Sequence, residues 1–124
     1  MHFTYANCYN LTGSPVCGES VTTMSGTYIN CYNLSSNGYL YSNKVTNMRG
    51  CFNGRNTSKY LNLYVPANST TLNTALTTSS TSMVWQTITW TNDMPTNGCY
   101  YNTAHNIYIY PVDDVAAARA ANGD

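Results

Sequence analysis

The sequence predicts an all-β fold: an antiparallel β-sandwich or small barrel with one short C-terminal α-helix. Three observations predict it. Short runs alternate in hydrophobicity with period two, clusters of Gly, Asn, Pro and Ser separate them, and convincing helix start and stop signals occur near the C-terminus. A chain of 124 residues fits one domain. We therefore expect a β-rich domain over residues 1–111 and a short helical tail over residues 112–124.

The first predicted element is a hairpin. Residues 27–34 are rich in Tyr and Ile, residues 39–45 form the returning strand, and Asn37-Gly38 lies between them. Both residues of an Asn-Gly pair accept the positive φ of a type I′ turn, so the pair is a strong hairpin signal. The pattern therefore predicts antiparallel pairing of these two segments.

The clearest predicted strand lies in the middle of the chain. Residues 59–65 alternate apolar and polar side chains, and residues 83–91 and 106–110 do so again. The apolar side of the first run consists of Leu61, Leu63 and Val65. Residues 67–82 are dense in Thr and Ser, which favours a solvated loop over the alternative of one short helix.

The C-terminal tail predicts a helix. Residues 112–121 are rich in Ala, Asp113 and Asp114 lie in the first turn, and Asn122-Gly123 follow the last turn. A helix of this length is not stable alone in water, so the tail must dock on a surface or fray. We expect it to dock on a neighbouring subunit rather than on its own domain.

Four of the five cysteines are followed directly by an aromatic residue. The pentapeptide NCYNL occurs at residues 7–11 and again at residues 30–34. This pattern predicts buried cysteines on strands, with their aromatic neighbours facing outward. The looser copies are irregularly spaced, which favours duplicated strand chemistry within one sandwich over a solenoid. No C-x-x-C pair is present, so we expect no metal site, and a disulfide between Cys8 and Cys17 stays open.

Candidate catalytic groups are scarce. The side-chain carboxylates are Glu19, Asp93, Asp113, Asp114 and Asp124. A glycosidase needs two carboxylates facing across a cleft, and three of these five lie in the tail. No Gly-rich phosphate loop or dinucleotide fingerprint occurs. We therefore expect a protein that is not an enzyme and that has no catalytic residue, no cofactor and no metal.

The composition limits the partners. Charged residues make up 8% of the chain and the formal net charge is zero, whereas nucleic-acid binding needs an excess of Lys and Arg. No apolar run is long enough to span a membrane, and residues 1–4 begin neither a basic nor an apolar signal segment. We expect no nucleic acid partner and no membrane insertion. A weakly charged surface repels neighbouring copies little, so we expect assembly with copies of itself and with other structural proteins of a particle.

Charge placement suggests where such subunits meet. Four of the five positive side chains lie close together in the sequence, and two acids begin the tail helix. We expect a basic loop on one subunit to contact the helix start of another, with ordinary solvated charges as the alternative. The candidate subunit-contact residues are Lys44, Arg49, Arg55, Lys59, Asp113, Asp114 and Val115.

A second candidate surface has the chemistry of a glycan site. Sugar sites combine aromatic rings with Asn or Asp side chains, and the segment before the last strand contains both types. The candidate glycan contacts are Trp85, Trp90, Asn92, Asp93, Tyr100 and Tyr101. The alternative is that the Trp residues belong to the core and the Tyr residues to the sheet surface.

Taken together, the richness in Thr, Asn and Tyr, the β pattern and the Ala-rich terminal helix resemble bacteriophage virion surface proteins, such as capsid-decoration proteins and head-fibre or tail-fibre modules. The resemblance concerns composition and the pattern of predicted elements over the whole chain, and it assigns no functional residue. It implies a homo-oligomer on the virion surface that lacks catalytic activity. The alternatives are a carbohydrate-binding or adhesion module and a subunit of an extracellular filament or surface layer, located outside the cell or at its surface.

Overall fold

The computed structural model describes residues 7, 15–68, 83–84 and 88–124. Strands dominate this part of the chain, and its helices are short. The elements are β1 (Val16–Cys17), β2 (Ser36–Leu40), β3 (Leu61–Pro66), β4 (Thr91–Asn92), α1 (Met94–Asn97), β5 (Tyr100–Asn102), β6 (Ile107–Val112) and α2 (Val115–Ala121). Of the predicted loop or helix at residues 67–82, residues 69–82 lie outside the described residues.

The six strands form one mixed sheet in the order β1-β2-β3-β6-β5-β4. The pairs β1–β2, β2–β3 and β3–β6 are parallel, and the pairs β6–β5 and β5–β4 are antiparallel. The sheet does not close, because β1 and β4 are both edge strands. The predicted β-rich fold with a short C-terminal helix is confirmed. A sandwich or barrel is not confirmed, and the prediction of antiparallel pairing is wrong for three of the described pairs.

The parallel strands belong to successive coils of the chain. Val16 pairs with Tyr39, 23 residues further on, and Ser36 pairs with Leu61, 25 residues further on. The connecting segments stack as well: the backbone N–H groups of residues 24, 26, 28 and 30 donate to the carbonyls of residues 47, 49, 51 and 53. Each coil therefore returns the chain in the same direction one layer further on, as in a solenoid.

This stacking follows from an internal repeat in the sequence. Residues 21–28 (VTTMSGTY) and residues 45–52 (VTNMRGCF) share Val, Thr, Met, Gly and an aromatic residue at a constant offset of 24 positions. The glycines have matching positive φ angles of 62° at Gly26 and 68° at Gly50. The aromatic rings of Tyr28 and Phe52 stack with their centroids 5.7 Å apart. Corresponding side chains of the two repeats therefore occupy equivalent positions in successive coils.

Asn37-Gly38 does not form the predicted hairpin turn. Both residues lie inside β2, and residues 27–34 form turns of the connecting segment. Gly38 is needed here for close packing: a Cβ atom would lie 2.7 Å from Leu63 Cδ2 and 2.7 Å from Pro15 Cγ. A side chain at this position would therefore force Leu63 and Pro15 to shift.

The core lies between the sheet and the connecting segments. The predicted inward side chains of β3 and β6 are buried there, together with the repeated methionines Met24 and Met48. Cys31 and Cys51 are buried as predicted, but they lie in turns and not on strands. Cys17 carries a free thiol, and Cys8 lies outside the described residues.

Candidate functional site

The face of the sheet opposite the core carries rows of tyrosine and asparagine. The strand register aligns Asn37 with Asn62, and it aligns Tyr39 with Tyr64. The same register continues these rows across β6 and β5. We call this surface the tyrosine face, and it consists of Asn37, Tyr39, Asn62, Tyr64, Tyr101, Tyr108 and Tyr110.

The rings of the tyrosine face stack on one another across the strands. The centroids of Tyr39 and Tyr64 are 5.5 Å apart, and those of Tyr64 and Tyr110 are 5.2 Å apart. Tyr101 and Tyr108 form a second stack at 5.8 Å. A ring stacked on its neighbours offers a partner its edge and hydroxyl. Each stacked pair also stabilises the sheet by about 0.5–1.5 kcal/mol.

The asparagines continue this surface as neutral hydrogen-bonding groups. Asn62 Nδ2 donates to Asn37 Oδ1 over 3.2 Å, and one further amide hydrogen of Asn62 stays available. Most of the face is half-buried, whereas Tyr39 is fully buried.

No protein-family model matches the chain, and no curated protein or solved structure matches it. The tyrosine face is the candidate functional site because it is extended, aromatic and nearly uncharged.

A short C-terminal segment covers one end of the tyrosine face. We call residues 113–124 the C-terminal strap. Its helix α2 begins at Val115, later than the predicted start at residue 112, so Asp113 and Asp114 precede the first turn in which they were expected. The Asp114 side chain instead caps the helix by accepting a hydrogen bond from the Ala117 N–H over 3.1 Å. Val115 is the buried residue of this helix. The strap lies against β2 and β3 of its own chain, and docking on a neighbouring subunit stays a prediction.

Polar contacts attach the end of the strap to β2. Asp124 Oδ2 accepts hydrogen bonds from the Tyr39 hydroxyl at 2.5 Å and from Asn37 Nδ2 at 3.1 Å. Arg119 donates to the Tyr41 hydroxyl over 3.2 Å, and its guanidinium lies 5.5 Å from the centre of the Tyr39 ring. Asn122 Nδ2 also donates to the Tyr39 hydroxyl. Tyr39 is thus enclosed by strap residues.

The strap contacts shift the acidity of both hydrogen-bond partners. Burial, together with the hydrogen bond to Asp124, raises the pKa of Tyr39 to about 12. The hydrogen bonds from Tyr39 and Asn37 hold the pKa of the Asp124 carboxyl below its ordinary value. At neutral pH the contact therefore joins a neutral phenol to a carboxylate.

Arg55 differs from the other predicted subunit-contact residues. Lys44, Arg49 and Lys59 are exposed, but Arg55 is only 6% exposed. Burial lowers the pKa of Arg55 to about 10, so the guanidinium is still charged at neutral pH. The prediction that Arg55 lies on a surface loop is corrected, because its side chain points into the protein.

Five backbone carbonyl oxygens surround the Arg55 guanidinium. They belong to Leu34, Asn56, Lys59, His105 and Asn106. The bonds to the Lys59 and His105 carbonyls are the short ones, each at 2.6 Å. Arg55 therefore joins the turn before β3 to the turn before β6, and it holds two layers of the fold together.

The predicted acidic and basic groups meet in part within one chain. Lys44, Asp113 and Asp114 line a groove of about 400 Å³, together with Val115 and Glu19. Arg49 and Lys59 are not among the residues that line it. A contact between subunits at this groove stays a prediction.

The predicted glycan contacts do not lie on one surface. Trp90 and Tyr100 pack against the core, whereas Tyr101 belongs to the tyrosine face. Asn92 and Asp93 lie at the edge strand β4 and the turn after it, and Asn92 Oδ1 accepts a hydrogen bond from the Met94 N–H over 3.1 Å. Trp85 lies outside the described residues. The described part of the set is therefore split between two faces.

Groups with reactive chemistry do not gather in the described part of the chain. Within residues 7, 15–68, 83–84 and 88–124, no three His, Cys, Asp or Glu side chains are placed to hold a metal ion. No helix among them is long and apolar enough to span a membrane. Burial raises the pKa of the thiols of Cys17, Cys51 and Cys99. These thiols are thus protonated at neutral pH and weak as nucleophiles.

The sequence contained a signal for the tyrosine face. Asn37 and Tyr39 are two positions apart, and so are Asn62 and Tyr64. The same period-two spacing recurs in the tyrosines of β6. Side chains at this spacing share one face of a strand, but the pairing of the strands is needed before the rows can be joined.

Proposed function

We propose that this chain is a non-enzymatic structural protein of a virus particle surface, such as a phage capsid-decoration or fibre component. It assembles with copies of itself or with other particle proteins, and the tyrosine face is the contact surface. The weakly charged composition, rich in Asn, Thr, Ser and Tyr, supports this proposal because such surfaces pack closely without strong repulsion.

The tyrosine face is the single observation that carries the proposal. Its exposed groups are ring edges, phenol hydroxyls and carboxamides, which form hydrogen bonds without the cost of desolvating a charge. Tyrosine is also enriched at protein interfaces, because it buries a large ring at a low cost in side-chain entropy. Charged groups meet the face at its strap end, where Arg119 and Asp124 are already engaged.

The oligomeric state of the wild-type protein tests the proposal. We expect an oligomer in solution, and we expect Tyr108→Ser to weaken its association at least tenfold. Tyr32→Ser is the matched control, because Tyr32 is 51% exposed in a turn away from the face. Equal association of the wild type and both variants, measured by sedimentation over a range of concentrations, would remove the tyrosine face as the contact surface.

Carbohydrate binding or adhesion is the second candidate function. One observation favours it: the Tyr101–Tyr108 stack lies in the same row as the Asn62 amide, so aromatic and amide groups adjoin there. Binding to a glycan array is expected to fall on Tyr101→Ala and to survive Trp90→Phe, because Trp90 packs against the core. Binding that survives Tyr101→Ala would exclude this part of the face as the glycan site.

A further inference from the structure

We propose that the C-terminal strap is exchangeable between copies of this chain. Residues 113–124 of one copy bind the Tyr39 end of the tyrosine face of a second copy, through the same contacts that they make within one chain. This inference rests on the proposed function, and it names the segment that connects one subunit to the next.

The strap is held mainly by its terminal polar groups. Helix α2 has seven residues and one buried side chain, Val115. A helix of this length is unstable without a surface to dock on. The remaining contacts are the hydrogen bonds and the cation–π contact of Arg119, Asn122 and Asp124. The strap therefore docks or leaves as one unit, and none of its residues belongs to the main hydrophobic core cluster.

The hydrogen-bonding partners of the strap's end lie on β2 or directly after it. Asn37 and Tyr39 of β2 bind Asp124, and Tyr41, the residue after β2, binds Arg119. The strap, however, continues from β6, and β3 lies between β6 and β2. The backbone connection to β6 therefore keeps the strap near β2, but the hydrogen bonds of the strap's end are made by Arg119, Asn122 and Asp124 and not by the residues next to β6.

Release of the strap also leaves a surface that needs a cover. The Tyr39 side chain is fully buried when the strap is docked. A released strap exposes this ring and its hydroxyl at the end of the tyrosine face. The strap of a second copy is chemically identical to the one that left, so its complementarity to the surface is complete. Exchange of an identical element is a known route to dimers, and the loss of effective concentration opposes it.

Two complementary full-length variants test the exchange. The strap variant carries Arg119→Ala and Asp124→Asn, so its strap binds poorly while its sheet is unchanged. The face variant carries Asn37→Ala and Tyr41→Phe, so its strap is unchanged while its β2 surface binds poorly. Neither variant alters a core residue. Mixing them allows one intact contact, in which the strap of the face variant binds the sheet of the strap variant.

Native mass spectrometry distinguishes the mixed pair from the two self-pairs, because the variants differ in mass. We expect the mixed pair to have a Kd at least tenfold lower than either self-pair. A tenfold difference corresponds to about 1.4 kcal/mol, the size of one or two hydrogen bonds. The single variants Arg119→Ala and Tyr41→Phe, mixed in the same way, repeat the test with one contact removed from each partner and are expected to give the same direction.

A statistical mixture of pairs, or no pairs at all, would overturn the exchange. The proposed function has a separate readout in Tyr108→Ser. If wild-type protein assembles and Tyr108→Ser disrupts it, but the mixed variants show no preference, strap exchange fails and assembly through the tyrosine face stands. If the mixed pair is preferred while Tyr108→Ser changes nothing, the strap is the contact and the rest of the face is not.

Discussion

Replacing Arg55 separates the two roles that its position suggests. From the sequence, Arg55 is a candidate subunit contact, whereas in the structure its guanidinium joins two turns inside the protein. Arg55→Met retains most of the apolar stem and removes every donor. The variant leaves five backbone carbonyl oxygens, one of them in a buried and four in part-buried contacts, without that donor.

The loss of stability can be worked out from the two shortest bonds. A buried acceptor left without a donor costs about 1–3 kcal/mol. Counting only the Lys59 and His105 carbonyls, both at 2.6 Å from the guanidinium, the loss is about 2–6 kcal/mol. A domain of this size is stable by about 5–15 kcal/mol, so this loss removes a large fraction of its free energy of unfolding. Arg55→Lys keeps the charge but cannot reach both turns at once, and we expect about half the loss.

Urea unfolding, followed by tyrosine fluorescence and circular dichroism, measures these differences. Lys59→Met is the matched control, because its side chain is exposed and its free energy of unfolding is expected to change by less than about 0.5 kcal/mol. Unfolding of Arg55→Met at the same urea concentration as Lys59→Met would contradict a structural role for the Arg55 guanidinium. If such a stable Arg55→Met protein also failed to assemble, Arg55 would be the surface contact that the sequence suggests.

Three further predictions follow from the structure. Gly38→Ala should lower the free energy of unfolding by about 1–3 kcal/mol, because the added Cβ would lie 2.7 Å from Leu63 and from Pro15. Gly18→Ala is the control and should leave the free energy of unfolding unchanged, because no atom lies within 4 Å of its added Cβ. Equal urea midpoints for the two variants would contradict the close packing of the coils. The pKa of Asp124 is lower in the folded than in the unfolded state, so the stability it contributes is present above about pH 4 and is lost as the pH falls through the folded pKa. Urea midpoints measured between neutral and acidic pH should therefore fall less steeply in Asp124→Asn than in the wild type, and parallel curves would count against the strap contact. The thiols of Cys17, Cys51 and Cys99 should react with a thiol reagent only on unfolding, because all three are buried; rapid labelling of any of them in the native protein, located by mass spectrometry, would show that the core is open.

Local sequence signals predicted the elements that local physics determines. The strands Leu61–Pro66 and Ile107–Val112 follow from period-two alternation, and the helix Val115–Ala121 follows from its Asp cap and its alanines. Each of these signals acts within a few residues of the chain. These strands and this helix can therefore be predicted without knowledge of the rest of the fold.

The strand order could not be predicted from such local signals. Asn37-Gly38 has the chemistry of a hairpin turn, but the close approach of Leu63 and Pro15 uses the glycine inside a strand instead. The non-local signal is the offset of 24 positions between residues 21–28 and residues 45–52. A repeat of two copies is short, yet backbone hydrogen bonds join one copy to the other in adjacent coils. Repeat periodicity thus outweighs a strong local turn signal in this chain.

The candidate site depends on the strand order for the same reason. Alternation places Asn62 and Tyr64 on one side of β3, but only the parallel register brings Tyr39 and Tyr110 beside them. Conversely, residues that are close in sequence are separated: Tyr100 faces the core and Tyr101 faces outward. A set of glycan contacts chosen by proximity in sequence is divided between the two faces of one sheet.

The mass of the wild-type protein in solution, measured by native mass spectrometry and light scattering with and without reductant, tests the central claim most directly. We expect an oligomer that persists in reductant, because the proposed interface consists of tyrosine and asparagine side chains and the described thiols are buried. We also expect Tyr108→Ser to shift this oligomer toward smaller species and Tyr32→Ser not to do so. A wild-type protein that stays monomeric at every concentration would contradict the account.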